Sequence, residues 1–306
     1  MKKAIITGVT GTIGMALLQE LTDQGMEVLA ICREGSDRNA QIPHDPKIKC
    51  IECSMDRLEN ITAEEYGRYD VCYHLAWMGT TGKSRNDMYL QNRNVRYALD
   101  AVEMAARLGC HTFIGAGSQA EYGHVQGKLT PETATNPVTG YGIAKLCAGQ
   151  MTRERAHQLG MRHIWVRVLS IYGPYDGKQS MVMSGIYDLL AGKIPQYTKG
   201  EQQWDYLYSG DAARAFRILG EKESEGVYCL GSGQVRPLKE YIELIRKNVD
   251  PRAKVTLGAI PYQENQVMYL CADISRLTAE TGFVPETSFE EGIRKTIGWC
   301  REQCSL

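Results

Sequence analysis

The stretch Thr7-Gly8-Val9-Thr10-Gly11-Thr12-Ile13-Gly14 limits what this chain can fold into more than any other segment. It directly follows an apolar run over residues 4–7 and opens a segment carrying Leu17, Leu18 and Leu21 at helical spacing. In a strand–turn–helix setting each glycine has its own task. Gly8 permits the tight turn, Gly11 lets the backbone approach a pyrophosphate, and Gly14 lets the helix pack closely on the strand. The unpaired N–H groups of the helix N-terminus then face the anion. The segment therefore predicts a dinucleotide site.

Apolar strand-like runs over residues 4–7, 28–32, 48–51, 71–75, 112–115 and 164–168 alternate with helix-like segments, of which 86–108 and 141–159 are the longest. Alternation of this kind predicts an α/β fold, a doubly wound parallel sheet of Rossmann type with helices on both faces. From Gly173 onward Gly and Pro recur and the alternation fades, as expected of a smaller, interleaved α+β C-terminal substrate lobe. The expected division is a nucleotide-binding domain over residues 1–173, with a return of about 205–232, and a substrate lobe over 174–306. The run 226–230 is a candidate to rejoin the main sheet.

Selectivity for NAD usually comes from a carboxylate at the end of the second strand, set against the ribose 2′-hydroxyl. Here that position reads Cys32-Arg33-Glu34-Gly35-Ser36-Asp37-Arg38, with no carboxylate at the strand end. Arg33, with Ser36 or Arg38, is placed to meet the phosphate that distinguishes NADP, so NADP is favoured over NAD. Two alternatives stay open: Arg33 stacking on the adenine, and Glu34 turning inward.

The 35 Lys and Arg against 36 Asp and Glu are spread along the chain, which gives no reason to expect a nucleic-acid or membrane-surface partner. No apolar stretch has membrane-span length, and Met1-Lys2-Lys3 leads straight into the first strand without a secretory leader, so a cytoplasmic protein is expected. Of the 10 cysteines, Cys32, Cys72, Cys110 and Cys229 lie in or beside apolar runs, where they read as buried thiols in a reducing compartment. Cys50 and Cys53 form a CxxC pair without a second pair or a histidine at zinc spacing, so no metal is expected.

Tyr141 and Lys145 stand four residues apart, on one face of the helix that begins there. A phenol is a weak base at neutral pH, but a neighbouring ammonium and a nicotinamide cation stabilise its ionised form. Tyr141 could then exchange a proton with a substrate alcohol, with Ser118, after the fifth strand, bonding the same oxygen.

The glycine turn, Ser118 and this helix come in an order and spacing that resembles the extended short-chain dehydrogenase/reductases, which include nucleotide-sugar epimerases, dehydratases and 4-ketoreductases. Further matches are Tyr73-His74-Leu75-Ala76, Asn94-Val95, Glu121-Tyr122-Gly123, Tyr172-Gly173-Pro174 and Gly282-Phe283-Val284-Pro285, so the resemblance spans essentially the whole chain. It implies Ser118, Tyr141 and Lys145 as the catalytic triad. It also implies a cofactor lined by Gly8, Thr10, Gly11, Thr12, Ile13, Gly14, Arg33, Leu75, Ala76, Asn94, Tyr141 and Lys145. A homodimer paired through the two long helices is implied as well.

Relatives that eliminate water carry an acid–base pair just after the catalytic hydroxyl, whereas this chain has Gln119-Ala120, which cannot do that work. Glu121 comes one residue later and is expected to point elsewhere. The leading expectation is a 4-ketoreductase of a deoxyhexose nucleotide, with a 4-epimerase holding NAD tightly as the alternative. Behind these stand a reductase of a non-nucleotide carbonyl and a non-catalytic NADP sensor. Candidate substrate contacts are Thr80, Gln119, Ser170, Trp204 and Arg236. Trp204 and Ser170 replace the Arg and Asn of many relatives, which leaves Arg236 as the candidate cation for a diphosphate.

Overall fold

The computed structural model describes residues 1–264 and 266–305. Its first part runs β1 (Lys3–Thr7), α1 (Thr12–Asp23), β2 (Glu27–Cys32), β3 (Ile48–Glu52), α2 (Ala63–Tyr66), β4 (Val71–His74), α3 (Met88–Arg107), β5 (Thr112–Ser118), α4 (Gly140–Gln158) and β6 (Arg162–Val168). There follow β7 (Ser170–Tyr172), α5 (Met181–Leu190), β8 (Gln203–Trp204), β9 (Tyr206–Tyr208), α6 (Ser209–Glu221) and β10 (Gly226–Leu230). The chain closes with β11 (Arg236–Pro237), α7 (Leu238–Val249), β12 (Tyr269–Leu270), α8 (Ser275–Thr281) and α9 (Phe289–Ser305).

Seven strands form one sheet in the order β10-β6-β5-β4-β1-β2-β3, every pair parallel. The central strands are apolar without interruption because both of their faces are covered. On one face α1 and α6 bury Leu17, Leu18, Leu21, Phe216 and Leu219, and on the other α3 buries Ala101, Val102, Met104 and Ala105. The run 226–230 does rejoin this sheet, pairing with β6 from Gly226↔Ile164 to Leu230↔Val168. The connection reverses between β1 and β4, and ligands bind at the carboxyl ends of the strands at such a switch point.

The smaller lobe holds a three-stranded sheet, β11-β8-β12, packed with α5, α7 and α9. Its core is aromatic: the Phe289 ring lies 4.7 Å from Tyr172 and 4.5 Å from Tyr241, centroid to centroid. No described helix is long and apolar enough to cross a membrane.

Candidate functional site

The turn after β1 adopts the conformation its glycines suggest. Gly8 has φ +72°, and a Cβ there would stand 2.5 Å from the backbone nitrogen of Ala76, so the turn lies directly against the end of β4. A Cβ on Gly14 would stand 2.5 Å from the Val9 carbonyl oxygen, which explains the close seat of α1. A Cβ on Gly11 would meet only the Gly8 carbonyl oxygen, at an ordinary 3.5 Å, and α1 has no side-chain cap, so its first-turn N–H groups remain available to an anion. Thr10, Thr12, Ile13, Leu75 and Ala76 are all partly exposed around this cradle, which suits a pyrophosphate. Asn94 lies deeper: its amide bonds both the N–H of Met78 (3.0 Å) and the carbonyl of Met78 (2.9 Å), fixing the loop after β4.

At the end of β2, Arg33 is exposed and its side chain makes no ion pair among the described residues. Glu34 turns outward to Arg57, and Glu52 accepts from the N–H of Gly35 (2.9 Å) and from Asn39 (2.8 Å). Arg38 reaches the Tyr175 carbonyl instead (2.7 Å). All ten cysteines are free thiols; Cys32, Cys72, Cys110 and Cys229 are buried, as their apolar setting suggests. Among the described residues no group of three or more His, Cys, Asp or Glu is arranged to hold a metal ion.

Ser118 ends β5, and its hydroxyl accepts the N–H of Ala120 (3.2 Å) while facing the phenol of Tyr141 on the first turn of α4. Thr139 caps this helix by accepting from Gly142 N–H at 3.1 Å. One turn on, the Lys145 ammonium is buried, donates to the Ala116 carbonyl at 2.6 Å, and lies 3.8 Å above the Trp77 ring. Burial pulls the Lys145 ammonium down to about 7. Tyr141 is pushed up, again chiefly by burial, while the Ser118 hydroxyl and the Arg85 cation act in the opposite sense.

The indole of Trp165 holds these parts together. Added Cβ atoms on Gly115 and Gly117 of β5 or Gly149 of α4 would all run into it, so three glycines let helix and strand close around one ring. Its N–H donates to Glu121 at 3.0 Å. Glu121 is indeed directed away from the cleft. Fully buried, it also accepts from Arg167 Nε (2.8 Å) and from Ser118 N–H (2.8 Å).

The cleft between the segment after Ser118 and β12 has a volume of about 520 Å³ and is lined by Gln119, His124, Val125, Gln266, Tyr269 and Leu270. Beside it Trp204 is half-buried, packs near Leu270, and donates its indole N–H to Ser170 Oγ at 2.8 Å. Two candidate substrate residues are thus partners of each other. Arg236 pairs with Glu290 at 2.5 Å, so its cation is already matched, and Thr80 is exposed, its carbonyl accepting from Arg85 at 2.9 Å. Trp77 and Arg85 went unnoticed in the sequence; only the folding back of the loop after β4 brings them to Tyr141.

A doubly wound sheet with this glycine turn, and with a tyrosine beside a buried lysine at its carboxyl edge, defines an enzyme of the extended short-chain dehydrogenase/reductase class. More particularly, the chain belongs to the NAD dependent epimerase/dehydratase family, whose model matches residues 4–231. It is 26% identical to an ADP-L-glycero-D-manno-heptose-6-epimerase of Pseudomonas aeruginosa, over 97% of each chain. It is 27% identical to a dTDP-4-dehydro-6-deoxyglucose reductase of Escherichia coli, over 96% of each. The UDP-N-acetylglucosamine 4-epimerase of Methanobrevibacter ruminantium, solved with UDP-N-acetylmuramic acid, superposes with a TM-score of 0.88 at 22% identity, covering 99% of both chains. Membership in a family of enzymes sets aside the non-catalytic sensor.

Proposed function

We propose that the chain is a nucleotide-sugar 4-epimerase that keeps NAD bound through turnover, an assignment that reverses the ketoreductase preference drawn from the sequence. The fold likeness to a UDP-N-acetylglucosamine 4-epimerase over 99% of both chains supports the epimerase over the reductase; elimination is set aside for both, because Gln119-Ala120 follow Ser118 and Glu121 is bound to Arg167, which leaves Tyr141 as the acid–base group among the described residues. Such a site can take a proton from a sugar hydroxyl and return it, but it cannot expel water. When bound, the nicotinamide supplies the hydride acceptor and donor. Tyr141 removes the hydroxyl proton, the Ser118 hydroxyl holds the resulting carbonyl oxygen, and Lys145 fixes the cofactor ribose and favours the ionised phenol. The first-turn N–H groups of α1, with Gly8, Gly11 and Gly14, hold the pyrophosphate.

A second reading, an NADPH-dependent 4-ketoreductase, is favoured by Arg33, exposed and without an ion pair among the described residues, at a strand end that carries no carboxylate. Arg236 stays the candidate cation for a substrate diphosphate, which has to displace Glu290 to reach it, and Trp204 beside the cleft offers a ring to the nucleotide. The ten free thiols suit a reducing cytoplasm, and the exposed apolar face of α4 suits a homodimer.

Acid denaturation of the purified protein, with mass identification of the released nucleotide, tests the choice. Stoichiometric NAD, together with interconversion of C4 epimers among UDP-, dTDP-, GDP- or ADP-sugars, is the expected result. Empty protein that oxidises NADPH in the presence of a 4-keto sugar nucleotide would replace the epimerase with the reductase.

A further inference from the structure

Arg85 lies in a short 3₁₀ turn, Gly82–Asn86, between β4 and α3. This turn is fixed to the first turn of α4. Asn86 Oδ1 accepts the N–H of Gly140 at 3.0 Å, and a Cβ on Gly140 would stand 2.7 Å from Met88 Sδ and 3.1 Å from the carbonyl oxygen of Arg85. From the other side, Gln91 donates to the carbonyls of Ser84 and Gly79, both at 2.9 Å.

On this anchored turn the guanidinium carbon of Arg85 lies 4.2 Å from the ring centroid of Tyr141, nearer than Lys145 Nζ at 5.9 Å. Its hydrogen bond goes to a neutral group, the Thr80 carbonyl, and no carboxylate pairs with it among the described residues. Arg167, Arg236 and Arg57 each face a glutamate. The cation of Arg85 is therefore unneutralised and directed at a phenol.

We propose that Arg85 is a positioning residue that holds the Tyr141 ring and sets the ionisation of its phenol. A cation over an aromatic face is attracted to the neutral ring and more strongly to the phenolate. The other groups around Tyr141 are Lys145 from α4 itself, the buried Glu121 from the turn after β5, and the neutral Ser118 and Trp77. Glu121 opposes the phenolate, though its charge is matched by Arg167. Arg85 is thus the cation closest to the phenol ring. The role rests on the reading of Tyr141 as the proton-transfer group.

The test is a titration that needs no substrate. Protein labelled with ¹³Cζ-tyrosine and saturated with NAD is followed by NMR, with the Tyr141 resonance assigned by its loss in Tyr141→Phe. Arg85→Gln is expected to raise the Tyr141 midpoint by about one pH unit, roughly a tenfold loss of phenolate at fixed pH, and Arg85→Lys to recover at least half of that. An unmoved midpoint in Arg85→Gln would overturn the proposal, as would an Arg85→Lys protein no better than the glutamine variant, since the effect would then come from loop distortion and not from charge. Turnover of UDP- and ADP-sugars, measured on the same samples, separates this from the epimerase reading. A shifted midpoint without turnover of any sugar leaves Arg85 in its role and removes the epimerase, and turnover with an unmoved midpoint does the reverse.

Discussion

Lys145 carries an amine into a place where water does not hydrate it, and the protein's stability must depend on pH as a result. Its folded-state pKa falls from 10.5 to about 7, so between those values the unfolded chain binds a proton that the folded chain releases. Stability therefore rises with pH across that window, and the burial cost is complete only below about 7. Lys145→Met is expected to melt above wild type at pH 6, by about 2 kcal/mol or a few degrees, with the gap closing toward pH 10. Thermal melts of both proteins, stripped of nucleotide, from pH 6 to 10 check this; a constant gap would mean that the folded protein keeps Lys145 protonated as the unfolded chain does, with no depressed pKa. Glu121 is the opposite case, a buried charge whose removal strands another. Glu121→Gln leaves the Arg167 guanidinium buried without its counter-charge, and urea unfolding should lose about 3 kcal/mol with an unchanged m-value. At this scale the sequence revealed what local spacing can encode: the Tyr141–Lys145 pair and the glycine turn. The Glu121–Arg167 pair and the Arg85–Tyr141 contact join segments far apart in the chain, and no periodicity records them.

Among the elements, α4 matters most because both Tyr141 and Lys145 project from it, and its height above β5 is set by Trp165. A Cβ on Gly149 would stand 2.7 Å from the indole, closer than ordinary packing allows, and the ring has nowhere to go between Gly115 and Gly117. Gly149→Ala is expected to lift α4, lower stability by about 2 kcal/mol and reduce turnover at least tenfold. Trp165→Phe in the same chain should return part of both losses, a coupling of about 1 kcal/mol in a double-mutant cycle. Strictly additive effects would show that the ring does not set the helix position. The sheet strands could be read from sequence because burial on both faces makes them continuously apolar, and even the return of β10 carried that mark. Strands β8, β11 and β12 have two residues each, too short for any alternation to appear. That is why the Trp204–Ser170 and Arg236–Glu290 partnerships were not visible beforehand.

For the whole molecule the open question is what covers α3 and α4. Ile143 and Met151 are about half exposed on α4, two turns apart on one face, and Met88 and Tyr89 stand out at the start of α3. A hollow of about 620 Å³ lies between the two helices, lined by Leu99, Met151, Arg153 and Arg155. Isolated exposed apolar residues need no explanation, but a row along one helix beside a hollow is the pattern of a surface that buries itself in a symmetric pair. If the proposed homodimer uses this face, each residue occurs twice about the two-fold axis, and each introduced charge is placed in the interface twice. Ile143→Glu with Met151→Glu should therefore convert the protein from dimer to monomer in sedimentation velocity. Nucleotide content should be largely retained, because the pyrophosphate cradle at the end of β1 lies elsewhere in the molecule. Sedimentation as a dimer with both charges in place would move the interface off these helices. A wild-type monomer would remove the proposed dimer altogether.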